Sequence, residues 1–191
     1  MFNKFVEMFP PAEQMIKPTE GIIEKYKQII PEELLGFWKE YGFGNYGEGL
    51  IKIINPSVYE DVTGVNKSVD IPLAINSFGD IFIYRNVPGK NIKAVGILNI
   101  HYRNREFFIV GENCIKEFFE DIDDSLPIMR SGLFKEAVAK CEKLEFDEIF
   151  FFTPALALGG GEDIKFIAKG KALVHYELLS QILGGDFGVK M

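Results

Sequence analysis

The stretch Asp147–Asp163, Asp-Glu-Ile-Phe-Phe-Phe-Thr-Pro-Ala-Leu-Ala-Leu-Gly-Gly-Gly-Glu-Asp, sets the tightest limit on how this chain can fold. Ile149–Phe152 is a continuous apolar run with no polar alternation. A run that short reads as a strand buried on both faces, which requires cover on both sides. Pro154 then ends ladder pairing by removing an N–H. Ala155-Leu156-Ala157-Leu158 is expected to stay inside the core, and Gly159–Gly161 to release the chain to the surface. This part of the chain points to core and hairpin, not to chemistry.

At 191 residues the chain suits one ordinary domain or two small subdomains sharing a core, with no disulfide or metal staple required. Eighteen Phe and seven Tyr make that core aromatic-rich. Residues 2–9 suit a short amphipathic turn of helix stopped by Pro10-Pro11. Thr19 is placed to cap a helix over Glu20–Ile29. Pro31 opens a second helix with Leu34, Leu35, Trp38 and Tyr41 as its apolar stripe, and Gly42 sits at its C-terminal cap. The glycine-rich loop Gly42–Gly49 leads into a strand at Leu50–Ile54, followed by a short helix over Pro56–Val62. Strand pairs follow at Pro72–Ile75 with Ile81–Arg85, and at Lys93–Ile100 with Arg105–Val110. Their imperfect alternation fits a sheet with helices over one face. Residues 112–122 and Gly132–Leu144 read as helices, Ile164–Ala168 as a strand and Val174–Leu183 as a final helix. The fold class is α+β: an N-terminal helical hairpin packed on a mostly antiparallel sheet, with a smaller helical and β C-terminal part. The best boundary lies near residues 105–130, dividing 1–110 from 111–191 around a core that the two can share.

Twenty-eight acidic against 21 basic residues give a net charge of −7. A field of that sign repels nucleic acid and anionic membrane and speeds encounter with a basic partner. The N-terminus lacks a cationic region followed by a sustained apolar core, and no segment reaches the ~20 apolar residues of a membrane span. A cytoplasmic protein is expected, with Cys114 and Cys141 as reduced, packed thiols. The glycine-rich loop is no phosphate cradle, because it follows a helix, precedes a strand and lacks the Lys-Ser/Thr ending. His101 and His175, the two histidines, read as packing or capping residues. No metal-ligand spacing, no nucleophile beside a base and no cofactor motif is found, so an enzyme is disfavoured. The acidic run Glu120–Asp124 lacks the order of a calcium loop and reads as a solvated helix end or a partner-facing patch.

Two segments carry a family resemblance. Ile30–Gly44, with Gly47-Glu48-Gly49-Leu50 and Asn55-Pro56-Ser57-Val58-Tyr59, resembles the GAD-like (GAD-related) domain: a proline-started helix with Leu-Leu-x-x-Trp, a glycine-rich loop, then Asn-Pro-x-x-Tyr. Asp147–Gly160, with His175 and Leu178-Leu179 after it, resembles the C-terminal domain of immunity proteins to type VI secretion DNase effectors. Phe150-Phe151-Phe152 departs from the Tyr-Gly-Phe of that pattern, which touches local packing alone. The resemblance implies a bacterial immunity protein that neutralises a cognate toxin, a nuclease with a basic domain, by surface complementarity and occlusion of its active site. It implies no catalytic residue and no cofactor, and leaves oligomeric state open. An acidic surface can occupy such a cleft as a phosphate mimic. The expected contact residues are therefore Glu120, Asp121, Asp123 and Asp124 together with Asn45, Tyr46 and Glu48 of the loop, with Tyr46 read equally as the anchor or as a partly buried loop aromatic. The alternative reading is an intracellular ligand- or regulator-binding module without enzymatic activity.

Overall fold

The computed structural model describes residues 2–184 and 188–189. Helix α1 (Asn3–Met8) ends ahead of Pro10. Thr19 caps α2 (Glu20–Tyr26), its Oγ1 accepting from the Ile22 N–H at 3.4 Å. Helix α3 (Glu32–Glu40) buries Leu34, Leu35, Phe37 and Trp38, and Gly42 follows its end at φ +91°. The glycine-rich stretch is more ordered than a loop. Gly44–Tyr46 is strand β1, and Gly47–Gly49 is one 3-10 turn ahead of β2 (Ile51–Ile53). Then come α4 (Pro56–Tyr59), β3 (Asp70–Asn76), β4 (Ile81–Val87), β5 (Ile92–Asn99) and β6 (Asn104–Val110). The C-terminal part is α5 (Cys114–Asp121), α6 (Ser131–Cys141), β7 (Glu148–Phe152), β8 (Ile167–Lys171), α7 (Ala172–Leu183) and β9 (Gly188–Val189).

Strands β1 to β6 form one antiparallel sheet in chain order, and β9 joins its β6 edge in parallel across Asn104 and Arg105. The opposite edge is closed: Ala12 donates to the Asn45 carbonyl at 2.9 Å, and Ile16 exchanges backbone hydrogen bonds with Phe43 at 2.8 Å. Helices cover both faces of the sheet over its centre, not one, which is why every residue of β3 is buried and the alternation fails. One face packs Phe82, Tyr84 and Val95 under Trp38, Phe118 and Phe119. The other packs Ile81, Ile83 and Leu98 with Tyr59, Tyr176 and Leu179.

The apolar run of β7 lies at the seam of these two clusters. Ile149 joins the second cluster, with half-buried Phe151 against it, while Phe150 and Phe152 belong to the first. A strand serving two cores has no polar side to show, and the run's composition follows from that. Phe150 N donates to the Ser77 carbonyl at 2.8 Å, tying the two-stranded β7–β8 unit to the main sheet. The expectation for Ala155–Leu158 is corrected. Leu156–Leu158 is a 3-10 turn with no buried residue, and Leu158 is 50% exposed. The turn leaves the core directly after Pro154, because the chain folds back on itself there: a Cβ at Gly160 would lie 1.9 Å from the Pro154 carbonyl oxygen.

Candidate functional site

Three of the seven expected contact residues meet at one place. Asn45, Glu48 and Asp124, far apart in sequence, line an open groove of about 680 Å³ whose floor is Phe9, Leu50 and Leu144. Glu48 stands out from the 3-10 turn because it adopts φ +59°, between Gly47 and Gly49, and its carboxylate lies 3.7 Å from Lys143 Nζ. Asn45 is half-buried and fastened from both ends of its amide. Its Nδ2 donates to the Leu144 carbonyl at 3.0 Å, and its Oδ1 accepts from Lys52 Nζ at 2.9 Å. Lys135 and Lys143 also line the groove and balance Glu48 and Asp124.

Tyr46 is not an exposed anchor. Alternation along β1 sends its side chain inward, where it is fully buried between Phe5 (5.5 Å between ring centres) and Phe37 (5.9 Å). Its hydroxyl donates to the Gly42 carbonyl at 2.8 Å, and burial pushes its pKa well above the ordinary range.

The remaining carboxylates gather at the C-terminal end of α5, beside the groove. Glu120 accepts a hydrogen bond on its carbonyl from Lys4 Nζ, and its carboxylate is 3.8 Å from Lys116. Asp121 is exposed in the last turn. Asp123 Oδ1 accepts from the hydroxyl and the N–H of Ser125, at 2.5 and 2.7 Å, which holds its pKa below the usual carboxylate value. A helix C-terminus carries partial negative charge, so acids there cost the helix roughly 0.3–1 kcal/mol each. Glu120 and Asp123 have local partners in Lys116 and Ser125, whereas exposed Asp121 stands in the last turn against the dipole.

Three charged groups lie in the interior that the sequence reading did not single out. Lys52 is fully buried, with Nζ also donating to the Glu145 carbonyl at 2.9 Å, and burial lowers its pKa to about 7 against the opposing pull of Glu148, Asp147 and Glu145. A lysine inside Leu50-Ile51-Lys52-Ile53-Ile54 was the available signal. Asp70 takes a bidentate hydrogen bond from Arg85 at 2.7 and 2.9 Å. Asp80 accepts from Arg130 at 2.8 Å, and Arg130 reaches Glu162 at 3.0 Å. These arginines and acids are distant in sequence, so spacing could not pair them.

Both histidines are buried. His101 Nε2 donates to the Phe78 carbonyl at 2.8 Å, and burial lowers its pKa. His175 stacks on Phe151 at 4.4 Å, with its pKa lowered to about 4 by burial and, less, by His101. Burial pushes the Cys114 thiol up to about 11. Among the described residues, no group of three or more His, Cys, Asp or Glu is arranged to hold a metal ion. No helix among them is long and apolar enough to cross a membrane. The arrangement is suited to contact: an apolar floor, a mixed rim and a neighbouring acidic turn.

The sequence pattern of the GAD-like domain matches residues 1–98. That of the C-terminal domain of the T6SS immunity protein Tdi1 matches residues 112–183. No curated protein matches the sequence. The crystal structure of Atu4351 from Agrobacterium tumefaciens superposes with a TM-score of 0.80 at 22% identity, covering 99% of this chain and 91% of that one. At that identity the likeness is one of fold.

Proposed function

The chain belongs to the GAD-like domain family, and on that premise we propose that it is an immunity protein that binds and neutralises a cognate type VI secretion toxin. The observation that carries this reading is the match of residues 112–183 to the C-terminal domain of a T6SS immunity protein. The toxin is a nuclease whose basic substrate cleft is met by the acidic turn Glu120, Asp121, Asp123 and Asp124, with Glu48 and Asn45 at the adjoining groove. Exposed Asp121, in the last turn of α5 where the dipole disfavours it, supports a role in binding over one in folding. Neutralisation is by contact and not by catalysis, in keeping with two buried, neutral histidines and a protonated, buried thiol.

The test is to co-express the chain with the effector encoded beside its gene and to titrate it against an active-site-dead form of that effector. Restored viability and a submicromolar Kd are the expected results. No protection, with no binding at micromolar concentration, would overturn the reading.

A further inference from the structure

The two edges of the main sheet are treated differently. Residues 10–16 close the β1 edge with backbone hydrogen bonds, whereas β9 reaches only Asn104 and Arg105 of β6. Among the described residues, no strand pairs with Phe108–Val110 on the outer side. An edge strand in this state normally carries charge, proline or cover, because unpaired N–H and C=O groups recruit another strand. Here it carries a bulge against β5 at Phe108, and two apolar side chains stand exposed there, Phe108 at 49% and Val110 at 72%.

Beside that edge lies a groove of about 950 Å³, bounded by Tyr102, Glu106, Phe108, Leu126 and Ile128. Its apolar wall is aromatic, of the kind that dominates binding energy at protein interfaces. No lysine or arginine lines it. Glu106 makes no ion pair among the described residues, and Leu126 leads out of the acidic turn. The groove is thus apolar, net acidic and continuous with an open strand edge.

We propose that the outer edge of β6 and this groove form the docking surface for an extended segment of the toxin. That segment adds as a strand beside Phe108–Val110, sets alternate apolar side chains against Phe108 and Tyr102, and brings a lysine or arginine to Glu106. Strand addition supplies backbone hydrogen bonds for affinity, and the pockets supply specificity. A second copy of this chain would bring another net charge of −7 to the same place, so a basic occupant is favoured over self-pairing. The assignment rests on the neutralisation reading above and names its surface.

The experiment uses the full chain and the active-site-dead effector encoded beside its gene. Phe108→Lys and Glu106→Lys are compared with wild type by calorimetry, with Lys39→Glu, exposed on α3 and outside both grooves, as a control and circular dichroism as the check of folding. Phe108→Lys is expected to weaken binding about 30-fold or more, as loss of an interface hot spot does. Glu106→Lys, at an exposed position on β6, is expected to weaken it about tenfold and to flatten its salt dependence. Amides of Phe108–Val110 should gain protection from hydrogen exchange in the complex. If wild type binds and both variants bind equally well, the surface is wrong and the neutralisation reading stands. If wild type does not bind, that reading falls and takes this surface with it. Concentration-dependent dimers of the chain alone, abolished by Phe108→Lys, would assign the edge to a second copy and overturn the proposal.

Discussion

Lys52 carries its ammonium group into the interior between Asn45 and the Glu145 carbonyl, and burial draws its pKa down to about 7 from 10.5. Between those values the unfolded chain binds more protons than the folded one, so stability rises with pH over that window. Below pH 7 the whole cost of burying the charge is present. Each unit is worth about 1.4 kcal/mol, so about 2 kcal/mol should be gained from pH 7 to pH 9. Lys52→Met removes the charge but orphans two acceptors, at about 1–3 kcal/mol each. The two effects offset at pH 7, which makes the slope the informative quantity. Urea denaturation at pH 7, 8 and 9 should show wild type gaining stability relative to Lys52→Met; parallel slopes would mean that the ammonium keeps an ordinary pKa. The functional-group inventory was only partly legible at this scale. Lys52 inside its apolar run was a signal passed over, whereas Asp80 and Arg130 meet only because the β3–β4 turn and the start of α6 converge.

At the scale of elements, α5 carries acid at the end where its own dipole disfavours it. Its inner face, Cys114, Ile115, Phe118 and Phe119, anchors it in the core, while Glu120 and Asp121 load its C-terminal turn with negative charge. Asp121→Asn should therefore stabilise the protein by a few tenths of a kcal/mol, about the dipole term, with Tm rising slightly. The same change should lower affinity for the toxin and reduce its dependence on salt. Stability and affinity moving in the same direction would argue that Asp121 belongs to the fold. Helices and strands with strong local signals were readable: Thr19 as a cap, Pro31 ahead of α3, and the hairpin between β3 and β4. Strand β1 was not, because three of the residues around it are glycines and its strand character comes from pairing with β2 and Pro10–Ile16. Leu156–Leu158 was misread for a related reason. Apolar composition predicts burial only where the backbone can stay beside the core, and the tight return at Gly160 carries it away.

Across the whole molecule, the parts that resemble two families share their largest core. Phe78 of the sheet packs on Phe150 and Phe152 at 5.9 and 5.6 Å, and Phe2 and Phe5 meet Phe119 at 4.8 and 5.0 Å. Buried aromatic side chains of this kind are worth about 3–5 kcal/mol each when truncated, which is comparable to the total stability of a domain. Separating 1–110 from 111–191 would strip several at once. The full chain should consequently unfold in one calorimetric transition, with calorimetric and van't Hoff enthalpies equal. Fragment 1–110 should bind a hydrophobic dye and melt without cooperativity. Two resolved transitions in the full chain, or a cooperative fragment, would mean that each part keeps its own core. The same dependence reaches function. The groove takes Asn45 and Glu48 from the first part and Asp124 and Lys143 from the second, and the Asn45 amide ties them at the Leu144 carbonyl. The proposed toxin-binding surface is assembled across that seam and exists only while the shared core is intact, so a fragment that fails to melt cooperatively should also fail to protect.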